Sequence, residues 1–291
     1  MSYQAWQNAP RPLVWDTTPR PRHVGLALGG GAARGLAHIG VLEVLAAHAI
    51  PIDLVTGCSV GALIGALLAA DISPQRMHAL VDGLNWGTLS TFSLYTVKLN
   101  ELNLLTLKGL PLGLLDLERM VEWLDKLWGG RLRFEQLALP FAAVAADIVS
   151  GEMVVMNEGE VAPAVRASCS VPGIFTPFRR NGRLLVDGGV IDNLPVQVAR
   201  AMGAEYVIAV DLLPAPGTRR HEPENIMEIS LMGLYTLIRA NQGTGQEADC
   251  TIAPDLVDAS LVDLAVAEEL IVAGRAAAEA ALPQLRADLG L

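Results

Sequence analysis

A serine between two glycines is the residue of this chain best suited to nucleophilic chemistry. It is Ser59 in Gly57-Cys58-Ser59-Val60-Gly61, between the short apolar run 52–56 and the longer apolar run 60–70. The lengths of these runs predict a buried strand followed by a helix. Gly-x-Ser-x-Gly at such a turn is the nucleophile-elbow pattern, and Gly57 and Gly61 leave room where a Cβ would collide with neighbouring elements. Small residues packed between a strand and a helix also give this pattern by chance, so its meaning depends on its chemical partners.

Residues 29–35, Gly-Gly-Gly-Ala-Ala-Arg-Gly, form a glycine-rich loop between a strand predicted over 23–28 and a helix predicted over 36–49. Consecutive glycines let backbone N–H groups approach a ligand closely, and the following helix adds the positive end of its dipole. Adjacent parallel strands open their loops at the same edge of a sheet, so we expect this loop to face Ser59. It would then supply the donors that stabilise an oxyanion.

A nucleotide or phosphate site is the alternative for this loop. Gly29, Gly31 and Gly35 give Gly-x-Gly-x-x-x-Gly, which is one residue longer than the dinucleotide fingerprint. Asp53 begins the second predicted strand, whereas the ribose-binding carboxylate of that fingerprint comes at the end of such a strand. No Gly-Lys-Ser/Thr follows Arg34, so the sequence does not indicate a Walker-type phosphate loop.

The group that would accept the proton of Ser59 is harder to find. None of the five histidines lies in a loop that is predicted to reach Ser59: they are His23, His38, His48, His78 and His221. The remaining candidate is Asp187, which ends a predicted strand and precedes Gly188 and Gly189; the alternative is an ordinary turn aspartate. A carboxylate is a weak base for a hydroxyl, so it needs help from the helix N-terminus and from preformed oxyanion donors.

The elements that position these residues predict an α/β protein. Strand, glycine loop, helix, strand, elbow and helix follow one another over about 23–70, which is a βαβα unit with a parallel sheet and a right-handed crossover. We therefore predict a single domain with a mostly parallel central sheet flanked by helices, preceded by a Pro-rich irregular arm over 1–22. Further strands are predicted over 140–146, 183–186, 205–210 and 250–252, with a hairpin over 147–156 that turns at 150–151. Further helices are predicted over 74–81, 116–128, 226–240 and 261–289, the last with a break at Pro283. One more helix is predicted to open at 193–195, with Asn193 as its cap and Pro195 as an early proline.

Composition limits the kind of partner. Of the 291 residues 52% are hydrophobic and 18% charged, as expected when both faces of a sheet are covered. The net charge of -10 argues against nucleic acid and gives no general attraction to anionic membranes. Three widely separated cysteines indicate reduced thiols in a cytoplasmic protein, and no pair has zinc-ligand spacing. The Pro-rich first residues argue against a secretion signal, and no apolar run approaches the ~20 residues of a membrane span.

Residues 84–115 are apolar but lack a sustained helix or strand period. The segment is rich in leucine, and its charges are Lys98, Glu101 and Lys108. One interpretation is an irregular connection packed on the domain. The other is an apolar flap or rim beside Ser59 that gives a preference for lipid substrates, since such a segment cannot stay exposed without inviting association.

Three motifs in this order resemble the bacterial patatin-like phospholipase family: the glycine loop 29–35, the elbow 57–61 and Asp187-Gly188-Gly189. The segments 166–177 and 187–195 are similar to that family as well. The similarity implies a patatin-like domain over 23–291, with the motifs in about 23–211 and a helical part over 223–291. Residues 1–22, 84–115 and the last third resemble the family less. Cys58 stands where a threonine is more usual, which we expect to be tolerated because its side chain supplies no catalytic atom.

The resemblance implies a serine–aspartate dyad without histidine. Ser59 would be the nucleophile and Asp187 the base, and the N–H groups of Gly30, Gly31 and Ala32 would form the oxyanion hole. Arg34 would brace the glycine loop or meet a phosphate. The remaining glycines of the motifs, Gly29, Gly35, Gly57, Gly61, Gly188 and Gly189, would support this geometry. The implied reaction hydrolyses carboxylic esters of lipids through an acyl-enzyme, with no metal and no other cofactor.

Several alternatives stay open at this point. A non-catalytic lipid-binding or regulatory module could keep the same fold. The residues do not choose among phospholipids, lysophospholipids, neutral glycerides and thioesters, or between hydrolysis and acyl transfer. They leave open the oligomeric state, and whether the protein contacts a membrane surface peripherally or works on soluble lipid.

Overall fold

The structure, a computed structural model, describes residues 22–83, 85–92, 112–213, 222–241, 248–257 and 259–291. The predicted irregular arm lies almost entirely outside the described residues. Within them, one large sheet and one small sheet are surrounded by helices, as expected for the α/β class.

The strands are β1 Val24–Leu28, β2 Leu54–Cys58, β3 Thr91–Phe92, β4 Gly113–Asp116, β5 Phe141–Asp147, β6 Glu152–Met156, β7 Gly173–Phe175, β8 Phe178–Arg180, β9 Arg183–Asp187, β10 Tyr206–Val210 and β11 Cys250–Ile252. The large sheet has eight strands within the described part of the chain, in the order β11-β10-β1-β2-β5-β9-β8, with β6 also paired to β5. The strands from β11 to β5 are parallel to their neighbours, whereas β6, β8 and β9 form antiparallel pairs. The small sheet has the order β3-β4-β7.

Helices cover both faces of the large sheet. Alternate strand residues point to opposite faces, so Leu26 and Ile208 join one buried cluster while Ala27 and Val207 join another. The helices are α1 Ala37–Ala47, α2 Val60–Ala69, α3 Pro74–Val81, α4 Trp86–Leu89, α5 Glu118–Trp128, α6 Val161–Ser168, α7 Val196–Ala201, α8 Ile226–Asn241 and α9 Ala267–Leu289. The first of the two clusters includes residues of α1, α2 and α9, and the second includes residues of α7.

Three local expectations need correction. Residues 161–168 form α6, which the sequence analysis did not predict. The last helix begins at Ala267 rather than at 261, and residues 261–266 are not helical. That helix also continues through Pro283, where we expected a break. Pro283 is exposed, so the carbonyl that loses its helical partner can be hydrated, which lowers the cost of the proline.

Candidate active site

Ser59 occupies the turn between β2 and α2 in a backbone conformation that is rare outside glycine. Its φ and ψ are 54° and -128°, and it is buried. Such a conformation costs on the order of 1–3 kcal/mol and persists only where the surroundings enforce it. They do so here: a Cβ on Gly57 would lie 2.4 Å from the Gly61 carbonyl oxygen, and one on Gly61 would lie 2.2 Å from that of Leu28. Only glycine fits at either position, so the turn has the geometry of a nucleophile elbow.

Asp187 ends β9 and presents a buried carboxyl group to the elbow. Its Oδ1 accepts from the Gly189 N–H at 2.8 Å and from the Cys58 thiol at 3.6 Å. Its Oδ2 is buried and makes no hydrogen bond of normal geometry within the described residues. Burial raises the pKa of Asp187 to about 6, while the nearby Ser59 hydroxyl, the Gly189 N–H and the Cys58 thiol lower it. The Ser59 hydroxyl is therefore near enough to Asp187 to lower its pKa, although no hydrogen bond of normal geometry joins the two side chains.

The glycine loop faces Ser59 across the edge of the sheet. A Cβ on Gly30 would lie 3.1 Å from the Cβ of Ser59. The Gly30 N–H, however, already donates to the Asn193 carbonyl oxygen at 3.1 Å. The N–H groups of Gly31 and Ala32 donate to no acceptor in the part of the chain that the structure describes. Of the three predicted oxyanion donors, the Gly30 N–H therefore already has an acceptor. The oxyanion role of this loop stays a prediction.

Two buried side chains hold this loop from behind. His38 Nε2 lies 2.8 Å from the Gly29 carbonyl oxygen, and burial lowers the pKa of His38 to about 4, so the ring is neutral and donates from Nε2. Arg34 donates from Nε and Nη2 to the Ala259 carbonyl oxygen at 3.1 and 2.8 Å. Arg34 is only 2% exposed. Its position fits the bracing role and leaves it no access to a phosphate in solvent.

Asn193 takes part in the site, although the sequence analysis assigned it to a helix cap. Its Nδ2 donates to the Gly30 carbonyl oxygen at 3.2 Å, so Asn193 binds Gly30 through both its backbone and its side chain. The N-cap residue of α7 is Pro195, and no side chain caps the start of this helix. The capping expectation for 193–195 is therefore wrong, because Asn193 is committed to the glycine loop.

Ser168 is a further residue whose place the sequence did not reveal. Its Oγ accepts from the Ser59 N–H at 2.9 Å and donates to the Val144 carbonyl oxygen at 2.6 Å. Two residues later, the Ser170 carbonyl oxygen accepts from the Asp187 N–H at 2.9 Å. The similarity of 166–177 to a family segment was the available signal, but it gave no role for either serine.

Among the other histidines that the structure describes, His78 and His48 bond groups outside the candidate site. His78 bonds Glu43 and Glu268 at 2.9 and 2.8 Å, and these contacts raise its pKa. His23 lies before β1, His48 follows α1, and His221 lies outside the described residues. Across the described ranges, no group of three His, Cys, Asp or Glu side chains is placed to hold a metal ion. No described helix is both long enough and apolar enough to span a membrane.

An apolar cavity of about 490 Å³ opens beside Ser59, which is part of its wall. One wall is α2, whose residues Val60, Leu63, Ile64 and Leu67 follow one another at helical spacing. The described ends of the segment 84–115 form another part of the wall. They contribute Trp86, Gly87, Leu89, Ser90, Leu114 and Leu115. These ends lie where the apolar-rim interpretation expects them, whereas residues 93–111 fall outside the described residues.

Three motifs lie at one edge of the mostly parallel sheet: the elbow, the glycine loop and the aspartate. Together they indicate the class of this protein. A family model for patatin-like phospholipases matches residues 26–200, which contain all three motifs. The chain belongs to the patatin-like phospholipase family. The resemblance read from the motifs is confirmed, while the domain boundaries given above stay predictions.

Relatives in sequence are longer than this chain. It is 34% identical over 206 residues to an uncharacterized NTE family protein of Mycobacterium tuberculosis, which covers 70% of this chain and 52% of that protein. It is 36% identical over 191 residues to patatin-like phospholipase domain-containing protein 7 of Rattus norvegicus, which covers 65% of this chain and 13% of that protein. The chain thus spans about half the length of the mycobacterial relative.

Solved structures share the fold at low sequence identity. VipD from Legionella pneumophila matches with a TM-score of 0.54 and 17% identity, over 89% of this chain and 67% of that one. ExoU, in its heterodimeric complex with SpcU from Pseudomonas aeruginosa, matches with a TM-score of 0.51 and 18% identity, over 91% and 52%. The predicted fold, a patatin-like α/β domain with a mostly parallel sheet, is confirmed.

Proposed function

We propose that this protein is a serine lipid acyl hydrolase, which cleaves carboxylic ester bonds of phospholipids or related lipids through an acyl-enzyme. One observation carries the proposal: Ser59, strained at the elbow and beside the buried Asp187, forms part of the wall of the apolar cavity. A nucleophile, a base and a place for an acyl chain therefore meet at one point. Family membership supports the same reaction class.

Ser59 is the nucleophile and Asp187 the base in this proposal. Above about pH 6 Asp187 is ionised, and its raised pKa makes it a better proton acceptor than an ordinary aspartate. It takes the Ser59 proton through Oδ2, because Oδ1 is already bonded by Gly189 and Cys58. The serine oxygen attacks the ester carbonyl, Asp187 returns the proton to the leaving alcohol, and a water then releases the acyl group by the reverse sequence.

The charge of the tetrahedral intermediate needs donors that are in place beforehand. The N–H groups of Gly31 and Ala32 are the best candidates, because they have no other acceptor in the described structure. The N-terminus of α2 adds its positive end at Ser59. Removing a single oxyanion donor typically costs about 10²–10³ in kcat, so this loop carries a large share of the proposed rate.

The cavity beside Ser59 sets the substrate class of the proposal. Its wall is almost entirely apolar side chains, and each acyl methylene buried there gains about 0.8 kcal/mol. We expect kcat/KM to rise with acyl-chain length until the cavity is full. Leu114, which is 46% exposed, lines the cavity from β4, and Leu112, which is 61% exposed, immediately precedes that strand. Both leucines suit a peripheral contact with a lipid surface.

We also infer a cytoplasmic location, on the basis of the three cysteines. Cys58, Cys169 and Cys250 are all free and buried. A chain that keeps three unpaired thiols suits a reducing compartment.

Hydrolysis of p-nitrophenyl esters from butyrate to palmitate tests the proposed activity. We expect Ser59→Ala and Asp187→Asn to lose turnover, whereas Ser90→Ala retains it. Ser90 is the matched control because it is a second buried serine in the cavity wall, and its hydroxyl bonds the Trp86 carbonyl oxygen. Unchanged activity in Ser59→Ala would overturn the assignment. Lipid binding without turnover in any of the proteins would favour the non-catalytic lipid-binding module.

A further inference from the structure

The hydrogen-bond ladder between β2 and β5 predicts a backbone bond at Ser59, and a side-chain hydroxyl takes the place of that bond. In this parallel pair Val55 is opposite Phe141, and the Val55 N–H donates to the Pro140 carbonyl oxygen at 2.9 Å. Bonds of one direction recur every two residues along a parallel strand. Continued by this rule, the ladder would next join Gly57 to Ala142 and then the Ser59 N–H to the Val144 carbonyl oxygen.

The Ser168 hydroxyl is inserted into that last position. It accepts from the Ser59 N–H at 2.9 Å and donates to the Val144 carbonyl oxygen at 2.6 Å. Ser168 is the last residue of α6 and is fully buried. The nucleophile therefore leaves the sheet at the point where one hydroxyl group separates the two strands.

We propose that Ser168 is a positioning residue that holds the Ser59 elbow one hydroxyl group away from β5. Its catalytic consequence rests on the function proposed above. Without the hydroxyl, the Ser59 N–H and the Val144 carbonyl either stay buried without partners or close on each other. The first outcome destabilises the fold, because two buried backbone groups lose their hydrogen bonds. The second draws the backbone of Ser59 toward β5.

The same short segment also fixes Asp187. The Ser170 carbonyl oxygen accepts the Asp187 N–H at 2.9 Å, so residues 168–170 bind the backbones of both candidate catalytic residues. The segment thereby sets the position of Ser59 relative to Asp187. A misplacement of about 1 Å in such a pair can cost roughly 10²-fold in rate.

Ser170 provides a matched control for the side chain of Ser168. It is equally buried, and its hydroxyl donates to the Arg166 carbonyl oxygen at 2.8 Å. Ser170→Ala removes that hydroxyl but keeps the backbone carbonyl that binds Asp187. It therefore reproduces the loss of a buried hydroxyl from this segment without touching the elbow.

The experiment compares Ser168→Ala with Ser170→Ala in ester hydrolysis, thermal stability and hydrogen exchange at the Ser59 amide. For Ser168→Ala we expect kcat to fall about 10²-fold, with KM little changed and faster exchange at Ser59 than in the control. A kcat close to wild type, or an equal loss in Ser170→Ala, overturns the proposal. If Ser168→Ala does not fold, Ser168→Cys decides: its thiol is a weak donor and acceptor, so wild-type kcat there also overturns it.

Two failures remain distinguishable. If the wild-type protein hydrolyses no ester, the proposed function fails, while amide exchange at Ser59 still reports whether Ser168 holds the elbow. If turnover depends on Ser59 but survives in Ser168→Ala, the positioning role fails and the proposed function stands.

Discussion

The Sγ atom of Cys58 lies 3.6 Å from Oδ1 of Asp187, so the residue before the candidate nucleophile donates to the candidate base. Together with the Gly189 N–H, this thiol occupies Oδ1 and leaves Oδ2 for Ser59. That the side chain at position 58 supplies no catalytic atom stays a prediction. The side chain nevertheless touches the carboxyl group whose charge the reaction needs.

Replacing Cys58 is expected to move the acidic limb of the pH–rate profile. A thiol is a weak donor and a hydroxyl a stronger one, so Cys58→Thr should lower the pKa of Asp187 below its value of about 6. Cys58→Val, which has nearly the shape of threonine but no donor, should raise it. The measurement is kcat/KM against pH between 4 and 9, roughly the range that spans this pKa.

Two other titratable groups near Asp187, Cys169 and Tyr235, do not contribute to this profile. Burial raises the pKa of the Cys169 thiol and of the Tyr235 phenol well above their usual values, so both stay uncharged over the range. If the threonine and valine variants have the same acidic limb as the wild type, the contact between residue 58 and Asp187 has no electrostatic effect.

Asp187→Asn should stabilise the fold at alkaline pH while abolishing activity. The folded-state pKa of about 6 is above the ordinary value of 3.8, so stability falls as pH rises through this interval. At pH 8 the ionised carboxylate costs roughly 3 kcal/mol, because a tenfold change in proton affinity corresponds to about 1.36 kcal/mol. We expect the variant to gain up to this amount at about pH 8, and nothing below about pH 3, where the carboxyl group is protonated in both states.

Asp147 is the matched control for that measurement. Burial alone would raise the pKa of Asp147, but the Val149 N–H, the Ser150 hydroxyl and Arg183 lower it below its usual value. Its charge therefore stabilises the fold above the unfolded-state pKa. Asp147→Asn should lose stability at pH 8, measured by urea unfolding, whereas a gain in both variants would contradict the predicted difference between these two carboxylates.

Two leucines on α2 should act as stops for the acyl chain. At 1.5 Å per residue, Leu63 lies about 6 Å and Leu67 about 12 Å from Ser59 along the helix, and both line the cavity. Leu67→Trp should reduce kcat/KM for long-chain esters only, and Leu63→Trp should also reduce it for shorter ones. Identical chain-length profiles for the two variants and the wild type would mean that the acyl chain does not lie along α2.

His38 should make the stability of the protein sensitive to acid. Its pKa is lowered from 6.5 to about 4 in the folded protein. Between these two pH values, His38 is protonated in the unfolded chain but neutral in the folded one. Stability is therefore lost as pH falls through this window. Glutamine can donate to the Gly29 carbonyl but cannot titrate, so His38→Gln should lose roughly 2 kcal/mol less than the wild type between about pH 7 and 5.

This comparison is made by urea unfolding at each pH value. Asp187 titrates in the same window with the opposite sign, but it is present in both proteins and cancels in the difference. Parallel pH dependences for the two proteins would contradict a neutral buried His38.

The sequence predicts the elements of the site better than it predicts what holds them in place. Ser59, the glycine loop and Asp187 stand at the ends of apolar runs beside glycines, and such local patterns survive in the fold. Ser168, Asn193 and Ala259 act on residues 109, 163 and 225 positions away. No local period encodes a partner at such separations, so their roles appear only once the chain is folded.

Two errors of the sequence analysis have the same origin. The position of Asn193, shortly before a proline and a helix, predicts a helix cap. Its side-chain amide instead donates to the carbonyl oxygen of Gly30, in the glycine loop after β1. Residues 261–266 read as the start of a helix, but the Leu261 carbonyl accepts from the Ala33 N–H at 3.1 Å. In both cases a long-range bond to the glycine loop overrides the local preference.

The bonds from Arg34 to Ala259 also determine when the glycine loop can be completed during synthesis of the chain. The two residues are 225 positions apart in the chain. At a synthesis rate of about 5–20 residues per second, Arg34 is synthesised roughly 10 to 45 s before the Ala259 carbonyl that it binds. During this time the Arg34 guanidinium has no Ala259 to bind. A nascent chain stalled before Ala259 would therefore carry Ser59 and Asp187 and still lack the finished glycine loop.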